Sequence, residues 1–170
     1  MAEFRNPFDN PAFFEQALFL YTKYLKYLED DYAFNGSNVY DYFYSLIQRT
    51  YPFCFVITEG NIVSGFVYLD NIIGDSKTLH SAELTTCFDK RFWGSYTKEC
   101  ARFFINYCFQ HYGFQKIKAL VYPDNSRVKT LLKNAGFVKE ALLKSETLRK
   151  GQLQDIELYS VFNNKATKNN

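Results

Sequence analysis

One glycine joins two stretches of different hydrophobic period. From His80 to Phe88 the side chains alternate, with His80, Ala82, Leu84, Thr86 and Phe88 on one face and Ser81, Glu83, Thr85 and Cys87 on the other. That period of two is a strand. From Tyr96 to Tyr112 the apolar residues Cys100, Phe103, Phe104, Tyr107 and Cys108 recur at the spacing of a packed helix. Trp93-Gly94 lies in the loop between them. A loop feeding a helix start presents backbone N–H groups that have no intrahelical acceptor, at the positive end of the helix dipole. That is a site for phosphate or pyrophosphate, and glycine lets the backbone come close to such a ligand. Any strand–glycine–helix joint has the same features, so on this evidence alone a plain structural turn stays open.

The remaining chain has the same clear punctuation. Asn10-Pro11 reads as a helix start, followed by Phe13, Phe14, Ala17, Leu18, Tyr21, Leu25 and Leu28 at helical spacing. A second helix is expected over about Val39 to Arg49, with Val39, Tyr42, Phe43, Leu46 and Ile47 inward. The period shortens after Pro52. Strands are expected over Phe53–Thr58 and Ile62–Leu69 around a turn at Glu59-Gly60-Asn61, then a loop from Asn71 to Lys77. Gly113 closes the long helix, and Lys116–Tyr122 is a strand. Asp124-Asn125-Ser126 caps a short helix that ends at Ala135-Gly136. Phe137–Leu148 and Leu153–Phe162 read as a hairpin across Arg149-Lys150-Gly151. A short strand around Glu3–Arg5 is the most that residues 1–10 allow. The expected organisation is one domain over residues 1–162 and a frayed polar tail over 163–170.

Composition narrows the function classes. The 170 residues carry 20 basic and 18 acidic side chains, a net charge of +2. That balance argues against nucleic-acid binding, and Lys116, Lys118, Arg127, Lys129 and Lys133 read as a solvated face. Ala12 to Leu28 is interrupted by Glu15, Lys23 and Lys26, so it is no membrane span. No signal peptide is visible. Cys54, Cys87, Cys100 and Cys108 have no CxxC spacing, so no metal site is expected. Cys100 and Cys108 share a helix face about 12 Å apart, too far for a disulfide. Buried, reduced thiols in a cytoplasmic protein are the simplest reading. The aromatic surplus, 18 Phe and 14 Tyr, reads first as core and rim packing. It also leaves a partner surface or a homodimer open.

Two motifs in order sharpen the picture. The stretch Ala82-Glu83-Leu84 to Phe92-Trp93-Gly94-Ser95-Tyr96-Thr97 resembles the GNAT acetyltransferase superfamily, in the branch that includes ribosomal-protein N-terminal and spermidine acetyltransferases. Asn125-Ser126-Arg127-Val128, followed by Ala135-Gly136-Phe137, is similar to the family's second feature, a short helix closed by Gly-Phe. The hairpin adds Gly151-Gln152-Leu153-Gln154-Asp155 before Leu158-Tyr159-Ser160. The resemblance spans about residues 80–162.

The resemblance implies an α/β fold, with a mostly antiparallel sheet of six or seven strands splayed at a cofactor cleft and about four flanking helices. It implies acetyl-CoA as donor, with no metal. The pantetheine arm would pair with the strand edge at Thr86, Cys87 and Phe88. The pyrophosphate would rest on amides of the loop from Arg91 through Trp93, Gly94, Ser95, Tyr96 and Thr97, with Arg91 as a charged contact. Asn125 would touch the cofactor or cap its helix. The acceptor would be a protein N-terminus, a polyamine or another small amine. Glu83 is the candidate base and Tyr159 a further candidate on the acceptor side; an ion-paired surface Glu83 and a packed Tyr159 are the bland alternatives. Tyr96 stands where a second small residue is expected, or the loop is one residue shorter. Leu132 stands where many members place a tyrosine acid. These departures keep a second expectation alive, a GNAT fold retained as a binding or assembly module without catalysis.

Overall fold

The computed structural model describes residues 2–75 and 77–164. Its elements are strand β1 (Glu3–Arg5), helices α1 (Pro11–Leu28) and α2 (Val39–Thr50), and strands β2 (Cys54–Glu59), β3 (Ile62–Gly74) and β4 (Leu79–Phe88). Helix α3 (Ser95–Tyr107), strand β5 (Lys116–Val121), helix α4 (Ser126–Asn134) and strands β6 (Val138–Arg149) and β7 (Gln152–Phe162) complete the chain. A 3-10 turn at Lys90–Phe92 precedes α3, and a π-helical turn at Cys108–Tyr112 follows it. One open sheet holds the seven strands in the order β1-β2-β3-β4-β5-β7-β6. β1 with β2, β2 with β3 and β5 with β7 are antiparallel, while β4 and β5 run parallel. Of the expected polar tail, residues 165–170 lie outside the described residues, as does Ser76 within the expected loop.

The described residues group into two compact units. The first takes in the chain up to Leu69 with Thr85–Trp93 and Thr147–Gln154. Its core is aromatic: Tyr21, Phe43 and Phe66 are fully enclosed, with ring centroids 4.7 Å apart for Tyr21–Phe43 and 5.8 Å for Phe43–Phe66. Burying each such ring contributes about 1.5–3 kcal/mol. α1 supplies Phe13, Phe14, Ala17, Leu20 and Tyr21 from one face, started by Asn10, whose side chain accepts from the Ala12 amide. The polar end of Tyr21 is satisfied by donating to Glu29 Oε1 at 2.6 Å, as a buried hydroxyl requires. Asp31 accepts from the amides of Lys150 and Gly151, both 2.8 Å away, and so fixes the hairpin tip. Lys150 and Gly151 there have φ of 55° and 68°, the signature of a two-residue turn between antiparallel strands.

The second unit takes in Asp70–Leu84, Gly94–Glu146 and the chain from Asp155. Its buried side chains include Ala82 on β4, Cys100, Phe104 and Ile105 on α3, Cys108, Ile117 and Ala119 on β5, and Leu132 on α4. The register Ile117↔Val161 and Ala119↔Tyr159 puts buried residues of β5 and β7 opposite one another. The alternate positions, Lys116↔Phe162, Lys118↔Ser160 and Leu120↔Leu158, take the other face of the same strands.

Two expectations are corrected. The loop expected from Asn71 is strand as far as Gly74. Asn71 adopts φ 48°, a kink that breaks the pattern of β3 without ending it. The reversal comes later, where Asp75 Oδ1 accepts from the amides of Lys77 and Thr78. The α3 face also differs, because Phe103 is 57% exposed and stacks along the helix on Tyr107, centroids 6.3 Å apart. Thr97, Cys100, Phe104 and Ile105 take the inner positions instead.

Gly65 has a specific role in the first unit. A Cβ added there would lie 2.4 Å from the Cys87 carbonyl oxygen and 2.7 Å from Phe88 Cδ1. β3 therefore meets the end of β4 too closely for any side chain. Gly65→Ala is expected to cost about 1–3 kcal/mol by overpacking, read as a lower midpoint in denaturant unfolding.

Candidate active site

In the first unit the expected strand edge is held firmly. The Thr86 hydroxyl donates to the Phe66 carbonyl at 3.1 Å. The Phe88 carbonyl accepts the Trp93 indole N–H at 3.1 Å. Cys87 is buried, and burial followed by the nearby Asp89 charge pushes its thiol well above the usual range. Such a thiol is no nucleophile at neutral pH.

Asp89, which sequence reasoning passed over, organises the turn. Its side chain is 2% exposed and accepts from Lys23 Nζ, the Arg91 amide and Arg91 Nε, at 3.1, 3.0 and 3.1 Å. Burial opposes ionisation, but these three donors outweigh it and hold the carboxyl below its ordinary range. Arg91, expected to meet a pyrophosphate, thus spends its Nε on Asp89 while its side chain stays 65% exposed. An Asp ahead of a short turn is a legible cap. Its partner Lys23, on α1, has no local signal.

In the second unit Gly94 begins α3 with φ 135° and ψ −134°, a region open essentially to glycine alone. Its amide donates to Thr97 Oγ1 at 3.3 Å, and the same hydroxyl donates to the Gly94 carbonyl at 3.1 Å. The first α-helical bond is from the Lys98 amide to the Gly94 carbonyl, so the amides of Ser95, Tyr96 and Thr97 precede the ladder. Tyr96 lies inside the helix rather than at positive φ. The ring therefore carries none of the backbone strain that the longer reading of the loop would impose.

Glu83 sits on the last rung of the parallel pairing, which runs from Ser81↔Lys116 to Glu83↔Lys118. Its Oε1 accepts from Lys118 Nζ at 3.2 Å and its Oε2 from Asn71 Nδ2 at 2.8 Å. The side chain is 25% exposed. A carboxylate accepts about four hydrogen bonds, so this one keeps capacity for an amine. His80 is exposed and its carbonyl takes the Gln115 amide. His111 stacks on Tyr107, centroids 4.6 Å apart.

Tyr159 and Asn125 hold structural positions. Tyr159 is buried and its hydroxyl donates to Glu157 Oε2 at 2.9 Å. Burial, then the Glu157 bond and charge, raises the phenol above its ordinary range. Lys139 and Lys129 flank Glu157 at 3.0 and 3.6 Å. Asn125 caps α4, its Oδ1 taking the Val128 amide at 3.4 Å. Leu132 is buried. Among the described residues no cluster of three His, Cys, Asp or Glu side chains could hold a metal, and no helix is long and apolar enough to cross a membrane.

An open sheet with a parallel β4–β5 pairing, crossed over by a helix that starts on a glycine, is a mixed α/β fold. The chain belongs to the GNAT acetyltransferase domain family, whose model matches residues 9–138. No curated protein sequence matches it. Among solved structures it is similar to the ribosomal-protein-S5-alanine acetyltransferase of Vibrio fischeri, at 18% identity over 96% of this chain and 92% of that one, TM-score 0.74. The spermidine N-acetyltransferase of Vibrio cholerae in complex with CoA and spermine gives 20% identity, 95% of both chains and TM-score 0.74. Mycobacterium smegmatis RimJ in complex with CoA-disulfide gives 18%, 96% and 83%, and 0.75.

The Asp89 anchor has a pH signature. A depressed carboxyl contributes stability above its unfolded value, about 3.9, and loses it as pH falls through the lower folded value. Asp89→Asn is expected to destabilise by about 1–3 kcal/mol at pH 7, the released lysine and arginine being partly solvated. The gap from wild type should narrow below about pH 4 in denaturant unfolding run at stepped pH.

Proposed function

We propose that this protein is an N-acetyltransferase that moves an acetyl group from acetyl-CoA directly to a primary amine. The observation that carries the reading is in the second unit: a glycine-started α3 and a partly exposed carboxylate, Glu83, on the last rung of the β4–β5 pairing. Nothing lies within 4 Å of where a Cβ would project from Gly94. The backbone there is open to a diphosphate, and the helix start favours its charge. In this reading the amides at the start of α3, from Ser95 to Thr97, hold the donor's diphosphate. Asn125 serves by capping α4.

The donor supplies an activated acyl carbon whose C–S bond breaks as the C–N bond forms, releasing a thiolate. The amine must shed a proton, and Glu83 is assigned to take it, directly or through water. Tyr159 is assigned to packing and to Glu157, because its proton is already committed there. The relatives named for ribosomal-protein-S5 alanine and for spermidine support an acceptor that is a protein N-terminus or a polyamine. The four buried thiols, none of them in a disulfide, fit a cytoplasmic setting.

Acetyl-CoA is expected to bind in calorimetry and to stabilise the fold by about 2.7 kcal/mol at a hundredfold excess over Kd. With spermidine or a peptide bearing a free N-terminal alanine, Glu83→Gln is expected to lower kcat by about 10²–10⁴ with acetyl-CoA affinity intact. No binding and no melting shift would sink the reading. Binding without turnover of any amine would leave a non-catalytic module.

A further inference from the structure

We infer that Asn71 is a positioning residue for Glu83, and that the left-handed kink in β3 exists to deliver its amide to that carboxylate. The inference rests on the assignment of Glu83 as the base.

A left-handed residue within a strand interrupts the regular ladder and bends the strand. Asn71 nevertheless holds φ 48° within β3, a conformation that Asn tolerates better than most side chains but that still costs energy. The kink is stabilised locally, because the Asn71 amide donates to Asp70 Oδ1 at 2.9 Å. Observed strain of this kind is a pointer to function. What the kink secures is the 2.8 Å bond from Asn71 Nδ2 to Glu83 Oε2.

The two donors on Glu83 do different work. Lys118 brings charge to Oε1 at 3.2 Å, but an ammonium on a flexible stem fixes direction poorly. Asn71 brings a shorter, directional bond to the other oxygen and no charge. With both oxygens held, the carboxylate plane is set and rotation about its last bond is stopped. A proton acceptor whose lone pairs are pre-aimed saves reorganisation as the amine attacks. The groups bonded to the Glu83 carboxylate are Lys118 on β5 and Asn71 on β3. Beyond Lys118 stand Lys116 and Glu140, paired at 2.7 Å.

Two variants test this without breaking the kink. Asn71→Gly keeps the positive φ and removes the amide; Asn71→Asp also tolerates it and puts a like charge beside Glu83. With acetyl-CoA and spermidine, or a peptide with an N-terminal alanine, both should lower kcat by about 10–100-fold, part of the full general-base effect, with KM for acetyl-CoA unchanged. Asn71→Asp should also move the acid limb of the rate profile to higher pH, since a like charge favours protonated Glu83. A merely structural role would lower the melting temperature and leave that limb in place. Wild-type kcat and pH profile in both variants, alongside an inactive Glu83→Gln, would overturn the inference while sparing the base assignment. An active Glu83→Gln would remove both. A second measurement needs no acceptor. The Asn71 side-chain NH₂ resonances should shift in acid in the wild type and stop shifting in Glu83→Gln, and identical behaviour in the two proteins would equally overturn the inference.

Discussion

The parallel pairing of β4 and β5 is the constraint from which the site follows. Parallel strands cannot be joined by a tight turn, so the chain must travel back through a crossover, here α3. The start of that helix is therefore tied by sequence to the end of β4. The connection runs through the 3-10 turn that Asp89 caps, and Gly94 supplies the positive φ at which the helix starts. The pairing itself spans only Ser81↔Lys116 to Glu83↔Lys118, so its last rung presents a carboxylate facing an ammonium.

Within each unit a buried or half-buried carboxylate gathers donors of unequal kind. Asp89 gathers a lysine, an arginine and a backbone amide, and its job is to shape a turn. Glu83 gathers a lysine and a neutral amide and keeps room for more. Glu157 shows the third outcome, with two lysines and a tyrosine hydroxyl around it. Similar side chains are structural or chemically available according to how many of their lone pairs are already committed.

Local rules made most of the fold legible. Asn10, Asn125, Gly113 and the Lys150-Gly151 turn are caps and reversals whose chemistry lies within a few residues of itself, and each stands where the sequence pattern puts it. The Tyr96 question was also local: the helix begins at Ser95, so glycine alone carries the positive φ. What escaped was long-range. Lys23 reaches Asp89 across 66 positions, and Asn71 reaches Glu83 from a neighbouring strand. The period of α3 misplaced Phe103 because a five-residue stripe fits two adjacent helix faces, and only the tertiary neighbours choose between them. The continuation of β3 past Asn71 was hidden because a left-handed asparagine looks like the start of a loop.

The four cysteines have a use unrelated to catalysis. All are buried and none is in a disulfide, with Cys54 and Cys87 in the first unit and Cys100 and Cys108 in the second. A thiol reagent can reach them only when the surrounding structure opens. Each unit thus contains its own internal clock of local opening. Residue-resolved alkylation rates would time the breathing of the aromatic core separately from that of the α3 layer, with no label added to the protein.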